Sequence, residues 1–510
     1  MNHRRNAMRV TGFGNLALAL LLTLAAGASH AQPYKVLANT GSTSSLIQGP
    51  NGDLYGTGVA TGPTGPYGIG ESVFNISATG SITTVYPFCS LPACADGSGP
   101  TGLVLGTDGN FYGTTAGGGA NSTIECSGET AQSCGTVFKL NPSGQLTTLY
   151  SFCSLANCAD GSLPGSALVQ GLDGNFYGST RYGGTGTCPN YDGFQPVGCG
   201  TLFKITPAGV LTTLYSFCAV SCTDGWDMIG SLMLDPNGKF YGTSDYGGTG
   251  SGSVECSDGC GTLFEFTAST GALTTLYSFC IPQGCPDGAR PQASMVISNA
   301  VLYGTTALGG AGNGGTFFSY LGTGNPSVLY SFCTQAGCPD GEDTQGITPA
   351  ASDGNFYGTT PSGGASQGGT LFKVTPAGAL TTLYGFCQQA QCFDGVAPNV
   401  TPVQATNGVI YGAANGGNPG NGVIYEWAAG LKRFVKTVAI AGKAGTVVII
   451  LGNGLTGASA VTFGGAPAKF AVMQPTEIKA IVPAGAATGY VKVTTSTGAV
   501  LSTLTPFYVP

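Results

Sequence analysis

One seven-residue string organises this chain. Asp108-Gly-Asn-Phe-Tyr-Gly-Thr114 returns as Asp173-Gly-Asn-Phe-Tyr-Gly-Ser179 and as Asp353-Gly-Asn-Phe-Tyr-Gly-Thr359. Looser copies begin at Asn51, Asn237, Asn299 and Asn407. The seven copies, marked by Tyr55, Tyr112, Tyr177, Tyr241, Tyr303, Tyr357 and Tyr411, stand 54 to 65 residues apart. Spacing of that length is the signature of a structural repeat, each copy one small unit that buries its faces against its neighbours.

Each unit parses into four short strands. In the third, Ala167-Leu-Val-Gln-Gly is strand A and Asp173-Gly-Asn a tight turn, since Asp-Gly tolerates positive φ. Phe176-Tyr-Gly-Ser-Thr is strand B and Gly200-Thr-Leu-Phe-Lys-Ile strand C. After the turn Thr206-Pro-Ala-Gly comes strand D, Leu211-Thr-Thr-Leu-Tyr-Ser-Phe, rich in β-branched and aromatic residues. Four strands per unit, seven times over, predict an all-β fold: a seven-bladed β-propeller, with an open β-solenoid as the alternative. Tyr34-Lys-Val-Leu-Ala-Asn-Thr40 resembles a strand D with no A to C before it. It is expected to pair with Gly422-Val-Ile-Tyr-Glu-Trp427, the last strand C, and so lock the ends together.

Composition agrees. Gly (87) and Pro (29) fall on the period, so they punctuate turns rather than mark disorder. At 42 % hydrophobic and 8 % charged residues, the chain has enough apolar material for a core, and a polyelectrolyte, a coiled coil or a nucleic-acid binder is disfavoured.

Three domains are expected: a signal peptide at 1–31, the repeat propeller at 32–430 and a small immunoglobulin-like β-sandwich at 431–510. Arg4, Arg5 and Arg9 precede the apolar run Leu16 to Ala26, and Ser29-His30-Ala31 suits cleavage before Gln32. The alternative, a membrane anchor, needs a run of about 20 residues. Cleavage would remove three of the 17 Lys+Arg and none of the 24 Asp+Glu, leaving a net charge of −10. It would also remove both histidines, His3 and His30, and with them Ser-His-Asp catalysis and histidine metal sites. Past Leu431, Gly445–Gly452, Ala460–Gly465, Glu477–Pro483 and Gly489–Thr495 read as short strands of a sandwich without cysteine.

The 18 cysteines fall into close pairs. Six pairs follow strand D: Cys89/Cys94, Cys153/Cys158, Cys218/Cys222, Cys280/Cys285, Cys333/Cys338 and Cys387/Cys392. Three lie between strands B and C: Cys126/Cys134, Cys188/Cys199 and Cys256/Cys260. In an exported chain such pairs read as disulfides, with metal thiolates as the alternative. In a four-stranded blade the D-to-A and B-to-C connections share one end, so every disulfide is expected on one face. That face is a candidate for recognition, though the staples can equally serve only to resist proteolysis.

Candidate ligand groups on that face are the aspartates that close each D-to-A loop, Asp96, Asp160, Asp224, Asp287, Asp340 and Asp394. A ring of them can bind Ca2+, or each can merely shape its Asp-Gly turn; no other cofactor is expected. Aromatics that can stack on a sugar are Tyr182, Tyr191, Trp226 and Tyr246. Asp224/Asp227 and Glu342/Asp343 are the close acidic pairs that glycoside hydrolysis would need.

The Asp-Gly-Asn-Phe-Tyr-Gly-Thr, Gly-Thr-Leu-Phe-Lys and Leu-Thr-Thr-Leu-Tyr-Ser-Phe strings resemble the GloVer tandem repeat of bacterial exported proteins, over about residues 34–427. The tail resembles an IPT/TIG domain over about 431–510. The resemblance implies an exported, surface-associated protein and supplies no catalytic residues. Members often carry a C-terminal sorting anchor; none is read here. The resulting expectation is a non-enzymatic binding or scaffold protein, extracellular, on the cell surface or periplasmic, whose partner is an extracellular glycan or protein. Nucleic acid and a membrane span in the mature chain are not expected. A carbohydrate-active enzyme using Asp or Glu, or a purely structural envelope protein, are the alternatives.

Overall fold

The repeated string folds as a turn that its own side chains hold. In the computed structural model, Asp173 Oδ1 accepts the Asn175 backbone N–H and its Oδ2 accepts both the Asn175 side-chain amide and the Tyr177 hydroxyl. Asp108 and Asp353 do the same for Asn110/Tyr112 and Asn355/Tyr357. The intervening glycine, Gly174, takes φ +80°, a left-handed conformation cheap only for glycine.

The structure describes residues 33–60, 70–121, 134–189, 198–219, 221–250, 256, 258–349, 351–416 and 422–510. The expected leader at 1–31, Cys126 and Tyr191 lie outside them. Among the described residues there is no α-helix. The strands form antiparallel sheets in chain order A-B-C-D. Repeat two, for example, runs Ser98–Leu105, Phe111–Gly117, Thr136–Leu140 and Leu146–Ser151, and repeat three Val169–Gln170, Phe176–Ser179, Thr201–Ile205 and Leu211–Ser216. In repeat six, strand A is reduced to an isolated bridge between Ile347 and Gly358. The architecture is propeller-like. Strand Tyr34–Thr40 pairs antiparallel with Gly422–Trp427, outside the sheet of Ile410–Asn415 and Val403–Gln404.

The described residues are all-β, and the D-to-A connections add a local detail to that architecture. Three of them hold a single turn of 3-10 helix that ends on the second cysteine: Pro92–Cys94, Ala156–Cys158 and Ala390–Cys392. The tight ring is the reason. The paired cysteines are five positions apart in sequence, and the chain returns within that span by bonds of the i to i+3 kind, Cys94 N–H to the Leu91 carbonyl and Cys392 N–H to the Gln389 carbonyl, each at 3.0 Å. The turns are kinked, since the residue before the second cysteine (Ala93, Asn157 or Gln391) has positive φ.

Consecutive sheets are joined by aromatic pairs. The phenylalanine that follows strand D meets, edge on or tilted, the aromatic of strand C in the next repeat: Phe88–Phe138, Phe152–Phe203, Phe217–Phe264, Phe279–Phe318, Phe332–Phe372 and Phe386–Tyr425, at centroid distances of 5.1 to 5.6 Å. The marker tyrosine packs on the phenylalanine of the next copy of the string, as in Tyr112–Phe176 at 3.9 Å and Tyr177–Phe240 at 4.4 Å. Between the last and first repeats, Ala405, Tyr411, Ala413 and Ile424 share a buried cluster with Leu46, Leu54, Phe74 and Ile76.

The tail folds as two facing four-stranded sheets around Val448, Ile450, Val461, Phe463, Ile478, Val491 and Val493. It contains a strand the sequence reading missed, Lys469–Gln474, whose side chains are mostly exposed and so carry little apolar alternation. Ile449 and Leu451 of this sandwich join a cluster with Tyr55, Leu105, Phe111 and Leu140 of repeats one and two. Thr476 Oγ1 donates to the Pro50 carbonyl at 2.7 Å, and Thr406 Oγ1 to Asn453 Oδ1. Pro50 and Thr406 lie in A-to-B turns. The sandwich therefore sits on the A-to-B end of the repeats.

Candidate functional site

At the other end of the sheets lie the D-to-A and B-to-C connections. Eight disulfides are described there. Six are the D-to-A pairs Cys89–Cys94, Cys153–Cys158, Cys218–Cys222, Cys280–Cys285, Cys333–Cys338 and Cys387–Cys392; two are the B-to-C pairs Cys188–Cys199 and Cys256–Cys260. Cys134 is also disulfide-bonded. All twelve cysteines of the D-to-A pairs hold positive φ, between 46° and 62°. Non-glycine residues avoid that region, so the loop must be held from outside.

The Asp of each Asp-Gly supplies the hold. Asp160 accepts the Tyr150 hydroxyl at 2.8 Å and the backbone N–H groups of Ser154 and Leu155. Asp96 and Asp394 repeat this with Tyr86 and Tyr384 and with the amides of Ser90/Leu91 and Gln388/Gln389. Asp224, Asp287 and Asp340 take Tyr215, Tyr277 and Tyr330 and the amide of the first loop cysteine. Burial, reinforced by the carboxylate, pushes these tyrosines up; Tyr150 reaches about 12.

A charged cluster spans repeats three to six beside these loops. Arg181 makes a two-pronged pair with Asp227, Nε to Oδ1 at 2.6 Å and Nη2 to Oδ2 at 2.8 Å. Arg290 does the same to Asp245, at 3.1 and 2.6 Å, and lies over the Tyr246 ring at 4.7 Å. Asp227, Arg290 and Asp343 occupy one position, three residues after the Asp of Asp-Gly, where Gly99, Leu163 and Ala397 also stand; all six have positive φ. The frame is shared and only the side chain differs. Through this residue four of the loops grip the preceding repeat: the N–H of Leu163, Arg290, Asp343 and Ala397 donates to the carbonyl of Cys134, Cys260, Gly314 and Gly368.

Around Arg290 and Asp343 is a cavity of about 260 Å3, lined also by Gln292, Leu308, Asn313, Glu342 and Ser362. Burial raises the Asp343 carboxyl; Arg290 opposes this, while Glu342 and Asp245 add to it. Burial likewise raises Asp245 against its hydrogen bonds from Arg290. A fixed guanidinium, two carboxyls, two amides and an apolar wall suit a small polyhydroxylated or cationic group.

Several sequence candidates are placed differently. None of the six loop aspartates belongs to a described group of three or more ligand-type side chains whose ligand atoms lie within 4.8 Å of one another, so they do not gather into one Ca2+ ring. Trp226 and Tyr246 are buried and stack on each other at 4.7 Å, which leaves no ring face for a sugar. Tyr182 is half-buried beside Arg181. Of the acidic pairs, Asp224 and Asp227 separate, one to a loop and one to Arg181; Glu342 and Asp343 line the same cavity. Cys94 and Cys392 form the disulfides expected of them, with Cys89 and Cys387. Each closes its 3-10 turn, half-buried and bonded to Cys89 or Cys387, and neither lines the Arg290–Asp343 cavity nor joins a group of three ligand-type side chains. Their part is to shape the loop. The sequence reading missed Arg181, Asp245, Arg290 and Asn313. For Arg290 the signal available was the third residue after each loop Asp, which varies among charged, small and apolar types as Gly99, Leu163, Asp227, Arg290, Asp343 and Ala397.

The Gloeobacter/Verrucomicrobia repeat matches residues 32–191 and 131–344, and the IPT/TIG domain residues 435–509. The chain belongs to the Gloeobacter/Verrucomicrobia repeat family. No curated protein matches it. Among solved structures, a fungal alcohol oxidase of the AA5 family in complex with copper is 14 % identical, covering 92 % of this chain and 100 % of its own, at a TM-score of 0.46. A luciferin-regenerating enzyme is 12 % identical, covering 66 % and 94 %, at 0.36. TolB from Acinetobacter baumannii is 12 % identical, covering 59 % and 61 %, at 0.32. Likenesses this distant carry no functional argument. The repeat family and the IPT/TIG domain indicate a β-rich binding or scaffold protein. No helix of the described residues is long and apolar enough to cross a membrane.

Proposed function

We propose that this is an exported, non-enzymatic binding protein: a closed seven-bladed propeller, residues 32–430, with an immunoglobulin-like module at 431–510 and a leader at 1–31. Its ligand, an extracellular glycan or protein, docks on the disulfide-stapled end. Ring closure is supported by the pairing of Tyr34–Thr40 with Gly422–Trp427 and by the cluster joining the last and first repeats. The carrying observation is an asymmetry between the two ends. The A-to-B end bears the sandwich, whereas the stapled end bears the Arg290–Asp343 cavity on braced loops. The six loop aspartates serve as clasps in this reading, and the ligand contacts fall to Arg290, Asn313, Glu342 and Asp343.

A second reading, hydrolysis of a glycan, has one observation in its favour: burial raises the Asp343 carboxyl, as a general acid requires, and Glu342 lines the same cavity. A glycan array run with a polysaccharide-degradation screen separates the two. The binding reading expects retention on an array without product, weakened at least tenfold by Glu342→Gln with Asn313→Ala. Product release abolished by Asp343→Asn would overturn it in favour of the enzyme, and silence in both assays would leave a structural envelope protein.

A further inference from the structure

In repeats two, three and four a third cysteine stands against the loop disulfide. The Sγ atoms of Cys199, Cys218 and Cys222 all lie within 4.8 Å of one another, as do those of Cys260, Cys280 and Cys285 and those of Cys134, Cys153 and Cys158. The strand register explains this. Thr201 pairs with Ser216, and the Phe217 N–H donates to the Gly200 carbonyl. One step further along the ladder sets Cys199 opposite Cys218, on directly facing positions. Repeats five and six keep the same ladder but carry Gly314 and Gly368 there. A Cβ built on those glycines would lie 2.5 Å from Cys333 Cβ and 2.6 Å from Cys387 Cβ. This position is therefore within disulfide reach of the first loop cysteine across the strands, given a small outward shift.

Cys188–Cys199 and Cys218–Cys222 thus form a four-sulfur station in repeat three. All four cysteines are buried, but they differ in which of them line a cavity. Cys188 and Cys222 line an open cavity of about 460 Å3 with Thr187, Ser221 and Asp258, while Cys199 and Cys218 do not. Cys218 and Cys222 both sit in the left-handed region, at φ 59° and 50°, so the loop disulfide closes a strained backbone.

We propose that this station is a thiol–disulfide exchange site for a small or peptidyl thiol. The incoming thiolate attacks Cys222 Sγ; the Cys218–Cys222 bond breaks and its electron pair leaves on Cys218. The Cys218 thiolate attacks Cys199 Sγ, forming Cys199–Cys218 across the strands and releasing Cys188 as a thiolate that water protonates. A second substrate thiolate attacks the substrate sulfur held on Cys222, releasing substrate disulfide and the Cys222 thiol. Two thiols are oxidised to one disulfide, and one of two protein disulfides is reduced. The two cysteines left reduced are those that face the cavity. This inference does not rest on the ligand reading above, and its failure leaves that reading untouched.

The test is stepwise reduction of the full oxidised chain with reduced glutathione, acid quench, alkylation and peptide mapping. Expected in repeat three is equal label on Cys188 and Cys222 together with a Cys199–Cys218 linked peptide. In repeats five and six, which have glycine in place of the third cysteine, label must fall on both members of one loop pair, Cys333/Cys338 and Cys387/Cys392. Label on Cys218 with Cys222, or on Cys188 with Cys199, would overturn the proposal, as would a repeat three that stays oxidised when repeats five and six are reduced. Cys188→Ser gives a second readout: its odd thiol is expected to appear on Cys222, and a thiol found only on Cys199 would count against exchange. If that variant does not fold, the titration of the natural chain decides alone.

Discussion

Each loop aspartate accepts a strand-D tyrosine hydroxyl and one or two backbone amides of its loop. At Asp160, a residue 1 % exposed, the donors are the Tyr150 hydroxyl, the amides of Ser154 and Leu155 and the Ser154 hydroxyl. Asp160→Ala strands these donors and frees a loop whose cysteines are held at positive φ. The expected loss is about 1–3 kcal/mol, read by denaturant unfolding; an effect below about 0.5 kcal/mol would mean that the disulfide alone holds the loop. The same clasp sets a pH limit. The loop tyrosines have raised pKa values in the fold, Tyr150 at about 12, against about 10 in an unfolded chain. A raised folded value means the stabilising contribution is complete below the unfolded pKa and is lost as pH climbs through the folded one. Stability is therefore expected to hold to about pH 10 and fall steeply above it, in step with tyrosinate absorbance; a fall beginning near neutrality would contradict this. Asp108 works in the opposite direction. Burial pushes its carboxyl up, but bonds from Asn110, Lys139 and Tyr112 outweigh that and lower it, so its contribution fades only in acid.

At the level of the element, the glycine of the Tyr-Gly-Thr string has a specific cause. A Cβ on Gly178 would come 2.7 Å from the ring of Phe203 and 2.8 Å from Leu168 Cδ2, and at Gly113, Gly242 and Gly358 the strand-C ring stands as close. Strand B thus leaves a slot for the aromatic of strand C, and that aromatic in turn meets the phenylalanine from the preceding repeat. Gly178→Ala is expected to cost about 1–3 kcal/mol by overpacking, because Phe203 is fully buried and has nowhere to move. Phe203→Gly in the same background would restore room but forfeit the contact with Phe152, so it should not rescue. These elements were legible in the sequence because turn chemistry and β-branched runs are local signals. Strand C of the last repeat and the N-terminal strand come out at Gly422–Trp427 and Tyr34–Thr40, the ranges read from sequence. Strand A was read at Ala167–Gly171 but pairs only over Val169–Gln170. The 3-10 turns that end on Cys94 and Cys392 were not legible, because a three-residue turn imposed by a crosslink leaves no periodic pattern. The candidate site was far less legible. Arg290 and Asp245 lie 45 residues apart, and only folding places one beside the other. Trp226 and Tyr246 looked like ligand platforms because a sequence does not show which ring covers which.

For the molecule as a whole, the decisive question is what the N-terminal strand does. It matches Gly422–Trp427 residue for residue, with one bulge between Val36 and Ala38, and Lys35 pairs with Glu426 at 3.1 Å. Tyr34 stacks on Tyr384 of repeat six at 3.8 Å, and Ala38 joins the cluster that carries Leu46, Phe74 and Ile76 of repeat one. One strand thus touches repeats six, seven and one. Deleting residues 33–41 distinguishes a ring from an open stack. In a stack, where each repeat contacts only its neighbours, the loss would stay with repeat seven. In a ring, the exposed edge of Gly422–Trp427 and the broken cluster of the last and first repeats loosen both flanks. Hydrogen exchange is therefore expected to lose protection in Thr43–Gln48 and Leu380–Gly385 as well as in repeat seven, with a rise in aggregation through the bare edge. Protection retained in Thr43–Gln48 would show that the first repeat stands without the last, and the closed ring would have to be given up.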